Sequence, residues 1–144
     1  MSLLAACSAG ESPPPPAQTY ADPGYVDAGD YRLHYAMTQT MDLPSEIAGS
    51  YGIVQRRNLA LLTIALAARD GTLAEATGLE ATAVSLTGLR RPLALARHHT
   101  ATGPTWLALV EIRDREAVTI EIRARATAAG PEITARFTRA FHLE

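Results

Sequence analysis

Val118-Thr119-Ile120-Glu121-Ile122-Arg123-Ala124-Arg125-Ala126-Thr127 alternates apolar and polar side chains without a break. A period of two places Val118, Ile120, Ile122, Ala124 and Ala126 on one face of a strand and Thr119, Glu121, Arg123, Arg125 and Thr127 on the other. One face is suited to burial and the other to water. Immediately upstream, Trp106 to Arg113 has the composition of a second strand, and the polar Asp114-Arg115-Glu116 separates the two. That spacing predicts a hairpin. Downstream, Gly130-Pro131 marks a turn, and Ile133, Ala135, Phe137, Phe141 and Leu143 trace a final strand.

The same period recurs towards the N-terminus. Tyr31, Leu33, Tyr35 and Met37 alternate with Arg32, His34 and Ala36, which predicts a first strand. Met41 to Ala48 interrupts the pattern. Pro44 suits the first turn of a short helix, Glu46 is favourable near a helix N-terminus, and Gly49 or Gly52 ends it. One or two helical turns crossing between sheets are expected there. From Arg57 to Ala67 both faces are apolar, a pattern shared by central strands and buried helices. Thr63, Ile64 and the Asp70-Gly71 turn favour a strand. Further strands are expected at Leu79 to Leu86, ending at Thr87-Gly88, and at Pro92 to Arg97, followed by a loop through Gly103-Pro104. About seven strands and one short helical insert predict an all-β, two-sheet immunoglobulin-like sandwich over residues 29–144.

Composition narrows the classes. The chain has 144 residues, 47% of them hydrophobic and 19% charged, which suits one globular core and excludes wholesale disorder. Aromatic residues are only 6%, so Leu, Ile, Val and Ala must fill the core. No lysine occurs. The basic side chains are all Arg, their longest runs are Arg56-Arg57 and Arg90-Arg91, and the formal charge is -2. A nucleic-acid backbone needs a clustered cationic surface, so no nucleic-acid partner is expected.

Residues 1–28 read as a tether. Leu4-Ala5-Ala6-Cys7 matches the bacterial lipobox, in which the cysteine after a small residue becomes the lipidated N-terminus. Ser8 to Ser12 and then Pro13 to Pro16 form neither helix nor sheet and suit an extended spacer. Cys7 is the only cysteine, so an intrachain disulfide is excluded and lipidation is its expected use. Met1 to Cys7 is too short to span a bilayer and lacks a basic leader, so export requires a signal segment upstream of Met1. The expected address is the periplasm, lipid-anchored to an envelope membrane.

Gly29-Asp30-Tyr31-Arg32-Leu33-His34-Tyr35, Leu43-Pro44-Ser45-Glu46-Ile47-Ala48 with Tyr51-Gly52-Ile53, Leu61-Leu62-Thr63-Ile64 and Phe137-Thr138-Arg139-Ala140-Phe141 together resemble the bacterial domain-of-unknown-function 4426 family of small exported proteins. The matching stretches span nearly the whole folded region. The resemblance implies the fold and the exported compartment, and no activity.

No stretch carries a catalytic signature. Ser85 lacks the Gly-x-Ser-x-Gly setting of a nucleophile elbow, and Glu111, Asp114 and Glu116 cluster at a turn where solvation suffices. No enzyme activity and no cofactor are expected. His34, Met37, Met41, His98 and His99 are the residue types of a copper or zinc site. On strands, however, His34 and Met37 point to opposite faces, as do His98 and His99. Arg113, Arg123, Arg125 and Arg136 are the candidate partner surface, able to meet an acidic lipid, glycan or protein, with Glu111 and Glu121 interleaved. The function expected from the sequence is a non-enzymatic, membrane-tethered interaction or assembly module, with a periplasmic metal-binding protein as the alternative. Its partner would be an envelope protein, lipid or glycan.

Overall fold

The computed structural model describes residues 22–143. The segment containing Cys7 and the proline run lies outside the described residues. Ten strands, one 3-10 turn and one short α-helix form two antiparallel sheets. The strands are β1 (Tyr25–Ala28), β2 (Tyr31–Gln39), β3 (Leu59–Ala68), β4 (Leu73–Ala74), β5 (Thr77–Val84), β6 (Arg90–Pro92), β7 (Ala96–Thr100), β8 (Gly103–Glu111), β9 (Ala117–Arg125) and β10 (Ile133–Ala140). The first sheet has the order β1-β2-β3-β8-β7, with β4 pairing the end of β3 that β8 does not reach. The second is β10-β9-β5-β6. The domain is therefore an all-β sandwich, with ten strands among the described residues rather than about seven.

Alternation explains the core. Leu33, Tyr35 and Met37 of β2, Leu62, Ile64 and Leu66 of β3, and Trp106, Ala108 and Val110 of β8 turn inwards from the first sheet. Ala81, Ile120, Ile122, Ile133, Ala135 and Phe137 meet them from the second. Apolar burial on this scale is the main stabilising term of such a domain. On one side Tyr35 stacks on Phe137, with ring centroids 4.5 Å apart and 12° between planes. Arg139 of β10 donates to the Met37 carbonyl of β2, closing that side with a cationic hydrogen bond.

Four expectations are corrected. Trp106 to Arg113 and Val118 to Thr127 do not form a hairpin: β8 pairs β3 and β7, whereas β9 pairs β5 and β10. The connection carries the buried Ile112 into the core, and Arg115 takes a left-handed φ of 60°, so the chain arches from one sheet to the other. Both strands have a buried face, and those faces meet across the core. The region from Pro92 to Arg97 is two strand ends, β6 and β7, with Leu93 to Leu95 passing between sheets.

The helical insert does not cross between sheets either. It comprises the 3-10 turn Thr40–Asp42 and α1 (Ser45–Ser50), with Pro44 just before the helix, and it joins β2 to its neighbour β3. Buried Thr40 fastens it: its hydroxyl donates to the Arg56 carbonyl at 2.8 Å and accepts from the Arg56 amide at 2.9 Å. Tyr51 reaches His98 on β7 edge-to-face at 5.2 Å, so the insert lies over the outer face of the first sheet.

Finally, the sheet begins at Tyr25, inside the stretch read as tether. β1 pairs β2 from Tyr25↔His34 to Ala28↔Tyr31, and the Tyr35 hydroxyl donates to Asp22 at 2.7 Å. Burial first, and then this hydrogen bond and the Asp22 charge, push the Tyr35 phenol up to about 12 from its ordinary 10.0. Because the folded state disfavours the phenolate, the stabilisation is complete below pH 10 and is lost as pH rises through about 12. Urea titrations should show the wild type losing up to about 2–3 kcal/mol across that window, with the loss absent in Tyr35→Phe.

Candidate functional site

All strands run between two ends of the sandwich. One end, called the lower end here, carries the β2–β3 connection, the β5–β6 turn, the β8–β9 arch and the last residues of the chain. At the lower end the side opposite Tyr35 and Phe137 is open. β7 pairs β8 only from Gly103 to Leu107, so Ala108 to Glu111 has no strand on that side among the described residues. β6 likewise pairs β5 and nothing else.

Between these two edges lies a cleft of about 350 Å³. Leu89, Leu93, Leu109, Ile112 and Val118 make its lining largely apolar, and Arg91, Arg113, Glu111 and Glu116 supply its polar groups. Arg91 donates to Glu111 at 2.6 Å, an exposed ion pair that reaches from one sheet to the other. Ion pairs of this exposure contribute little to stability, so Arg91 and Glu111 are free to exchange partners at small cost. The turn below is rigid: the Ser85 amide donates to the Leu89 carbonyl, the Gly88 amide to the Ser85 carbonyl, and the Ser85 hydroxyl accepts from the Leu89 amide. A φ of 84° at Gly88 makes that turn possible. Ser85 is thus a turn residue here.

The arginine surface is divided. Arg123, Arg125 and Arg136 lie on the outer face of the second sheet, but Arg113 stands beyond β8 and lines the cleft. The hairpin expectation had placed all four together, and the arch separates them. On the outer face the charges pair. Arg123 donates to Glu80 at 2.8 Å, Arg136 lies 3.9 Å from Glu121, and Arg125 donates to the Gly130 carbonyl near Glu132. A hydrogen bond from Arg90 above all, then the charges of Arg136 and Arg123, hold Glu121 below the usual carboxylate range. This face is a compensated network of exposed ions.

The alternative metal ligands do not converge. Met37 is in the core and His34 is exposed on the other face of β2. β2 and β7 are separated by β3 and β8, roughly 14 Å at ordinary strand spacing, so His98 and His99 are remote from both. His98 contacts Tyr51, while His99 lies near Glu75 and Arg97. Met41 is exposed at the lower end, where it shares a concavity with His142. Among the described residues no group of three or more His, Cys, Asp or Glu side chains is placed to hold a metal. His142, the cleft residues Leu89 and Leu109, and the exposed Leu86 of the neighbouring turn escaped the sequence reading. The available signal was Leu86 and Leu89 in a turn centred on Gly88, where polar residues are usual.

Comparison with known proteins fixes the family. The sequence profile described as "Domain of unknown function (DUF4426)" matches residues 25–144. The chain belongs to this family. The DUF4426 match begins at the first residue of β1, in agreement with the structure. A solved DUF4426 protein from Pseudomonas aeruginosa is similar, with 23% identity and a TM-score of 0.69 over 83% of this chain and 94% of that one. A copper-bound variant of FetP from uropathogenic Escherichia coli has 14% identity and a TM-score of 0.53, over 79% of this chain and 92% of that one. Both likenesses concern the fold. No curated protein matches the chain.

Proposed function

We propose that this DUF4426 domain is a non-enzymatic interaction module of the bacterial envelope, tethered through a lipid on Cys7, which takes up an extended segment of a partner protein in the lower-end cleft. The observation that carries the reading is the β8 edge from Ala108 to Glu111, unpaired among the described residues, beside an apolar groove. A strand edge offers a row of backbone donors and acceptors, which an incoming extended segment can satisfy, while alternate side chains enter the groove. The second edge, β6, is short and carries Arg90 and Arg91, features that discourage indiscriminate pairing. Arg113 and Glu116 at the groove supply polar groups for orienting such a segment.

The copper-handling alternative draws on the FetP fold likeness and on soft donors. The five side chains first considered for it do not converge on one site, which favours the interaction reading.

A photo-crosslinking residue at position 109, at the β8 edge, should give a discrete protein adduct in intact cells, whereas the same residue at position 134 on the outer face of the second sheet should give none. Adducts from neither position, or from position 134 alone, would reject the cleft as the docking site.

A further inference from the structure

The large apolar side chains that remain exposed are not scattered. Met41, Ile47 and Val54 of the β2–β3 connection, Leu86 and Leu89 of the β5–β6 turn, and Leu109 near the end of β8 are between 43% and 72% exposed. All six belong to the lower end or to the connection that leaves it. The connections at the upper end, residues 29–30, 69–72, 101–102 and 126–132, contain no large apolar residue. Leu86 and Leu89 are also held out by the hydrogen-bonded turn at Ser85 to Leu89, so their exposure is built into the backbone. A single exposed leucine needs no explanation, but an apolar set gathered at the lower end and its insert, and absent from the upper-end connections, marks a contact surface.

Two further observations say what the surface meets. β2 runs towards the lower end and β1 is antiparallel to it, with Asp22 and Gly24 fastened to Tyr35. The described chain therefore enters at Asp22, level with Tyr35 at the middle of β2. The stretch from Cys7 to Asp22 reaches at most roughly 50 Å, so an anchor at Cys7 holds the domain within that distance of a membrane, and the apolar and cationic side chains decide which end meets it. In addition Arg56, Arg57 and Arg113 are exposed at the same end and make no ion pair among the described residues. Guanidinium groups at the same end as exposed leucines suit the phosphate and upper acyl layers of a lipid surface.

We infer that the lower end of the sandwich rests on the lipid surface to which the chain is tethered, with Leu86 and Leu89 entering the interface and Arg56, Arg57 and Arg113 meeting lipid phosphates. The inference rests on the tether reading; Leu89 and Arg113 also line the cleft, whereas Leu86, Arg56 and Arg57 lie outside it. Tethering raises the local concentration of the end at the membrane, so contacts too weak for a free protein suffice to orient it. Asp42 and Glu46 share the β2–β3 connection with Arg56 and Arg57, which limits the electrostatic share. Orientation is therefore expected to persist in high salt.

The test uses the full chain coupled through its single cysteine, Cys7, to a maleimide lipid in vesicles of phosphatidylethanolamine and phosphatidylglycerol. Hydrogen exchange at residues 86–89 and 53–57 should slow by roughly fivefold or more against the uncoupled protein, while residues 69–72 and 126–132 are unchanged. The double variant Leu86→Ser, Leu89→Ser alters two exposed side chains, keeps the fold, and should lose the protection while remaining coupled. Equal exchange at both ends would overturn the inference, as would protection that appears only when envelope proteins are added. Either failure leaves the tether itself standing, because fatty-acid labelling of Cys7 in cells, blocked by Cys7→Ser, tests that separately.

Discussion

Gly103→Ala should destabilise the domain by about 3–4 kcal/mol, seen as a fall in Tm of roughly 10–15 °C with no change in the sheet signature of the folded state below it. Gly103 opens β8 with a φ of 131°, a conformation that L side chains rarely adopt. A Cβ there would lie 2.5 Å from the Leu73 carbonyl oxygen and 2.8 Å from the Leu73 Cβ. These atoms belong to β4, whose Leu73 amide donates to the Thr102 carbonyl at 3.0 Å, so the obstacle is backbone already fixed by its own pairing. Relief requires β4 or the start of β8 to shift. Gly29→Ala provides the contrast: its φ of 58° is also left-handed, but nothing lies within 4 Å of the added methyl. That variant should cost only about 1 kcal/mol, from conformation alone. Paired thermal melts of the two variants separate steric from conformational cost.

The contrast between strand patterns and their partners runs through the whole molecule. Alternation at Tyr31 to Met37 and at Val118 to Arg125 was legible because each strand buries one face, and a period of two records that directly. Pairing was not legible. A polar Asp114-Arg115-Glu116 between two alternating runs fits either a hairpin or an arch between sheets, and the deciding residue is Ile112, whose burial shows that the chain is still crossing the core there. The same ambiguity misplaced Arg113: the hairpin assumption grouped it with Arg123, whereas the arch brings it to the cleft. The cleft itself is assembled from residues 83–93 and 109–118, two stretches whose proximity depends on sheet order. Its open edge exists because β7 begins only at Ala96, opposite Leu107, while β8 continues to Glu111, a difference set by where Leu93 to Leu95 change sheets. No local pattern encodes that. Met37, by contrast, was rightly separated from His34 because opposite faces follow from adjacency on one strand.

Leu62→Ala should cost about 3–4 kcal/mol, and Leu61→Ala about 2 kcal/mol, when both are measured by urea denaturation at neutral pH. The run from Leu59 to Ala68 is apolar on both faces, and the reason is visible in what covers each. Leu62 is fully buried between Met37 and Ala108 in register, at the centre of the layer shared by the two sheets. Truncation there leaves a cavity whose walls are strands paired on both sides and therefore poorly able to collapse. Leu61 points to the outer face and is still only 4% exposed. Leu107, on the same outer face, is 5% exposed. The β2–β3 insert lies over that face, held by Thr40 and Gln55, whose side-chain amide donates to the Thr40 and Leu43 carbonyls. An insert pinned at few points yields more readily than a strand, so its cavity closes further and the cost is smaller. If Leu61→Ala proved neutral, the insert would be a surface loop in solution, and Met41, Ile47 and Val54 would lose the fixed platform that the membrane-facing end requires. The apolar character of both faces of β3 is thus tied to the same connection that carries half of the exposed large apolar side chains.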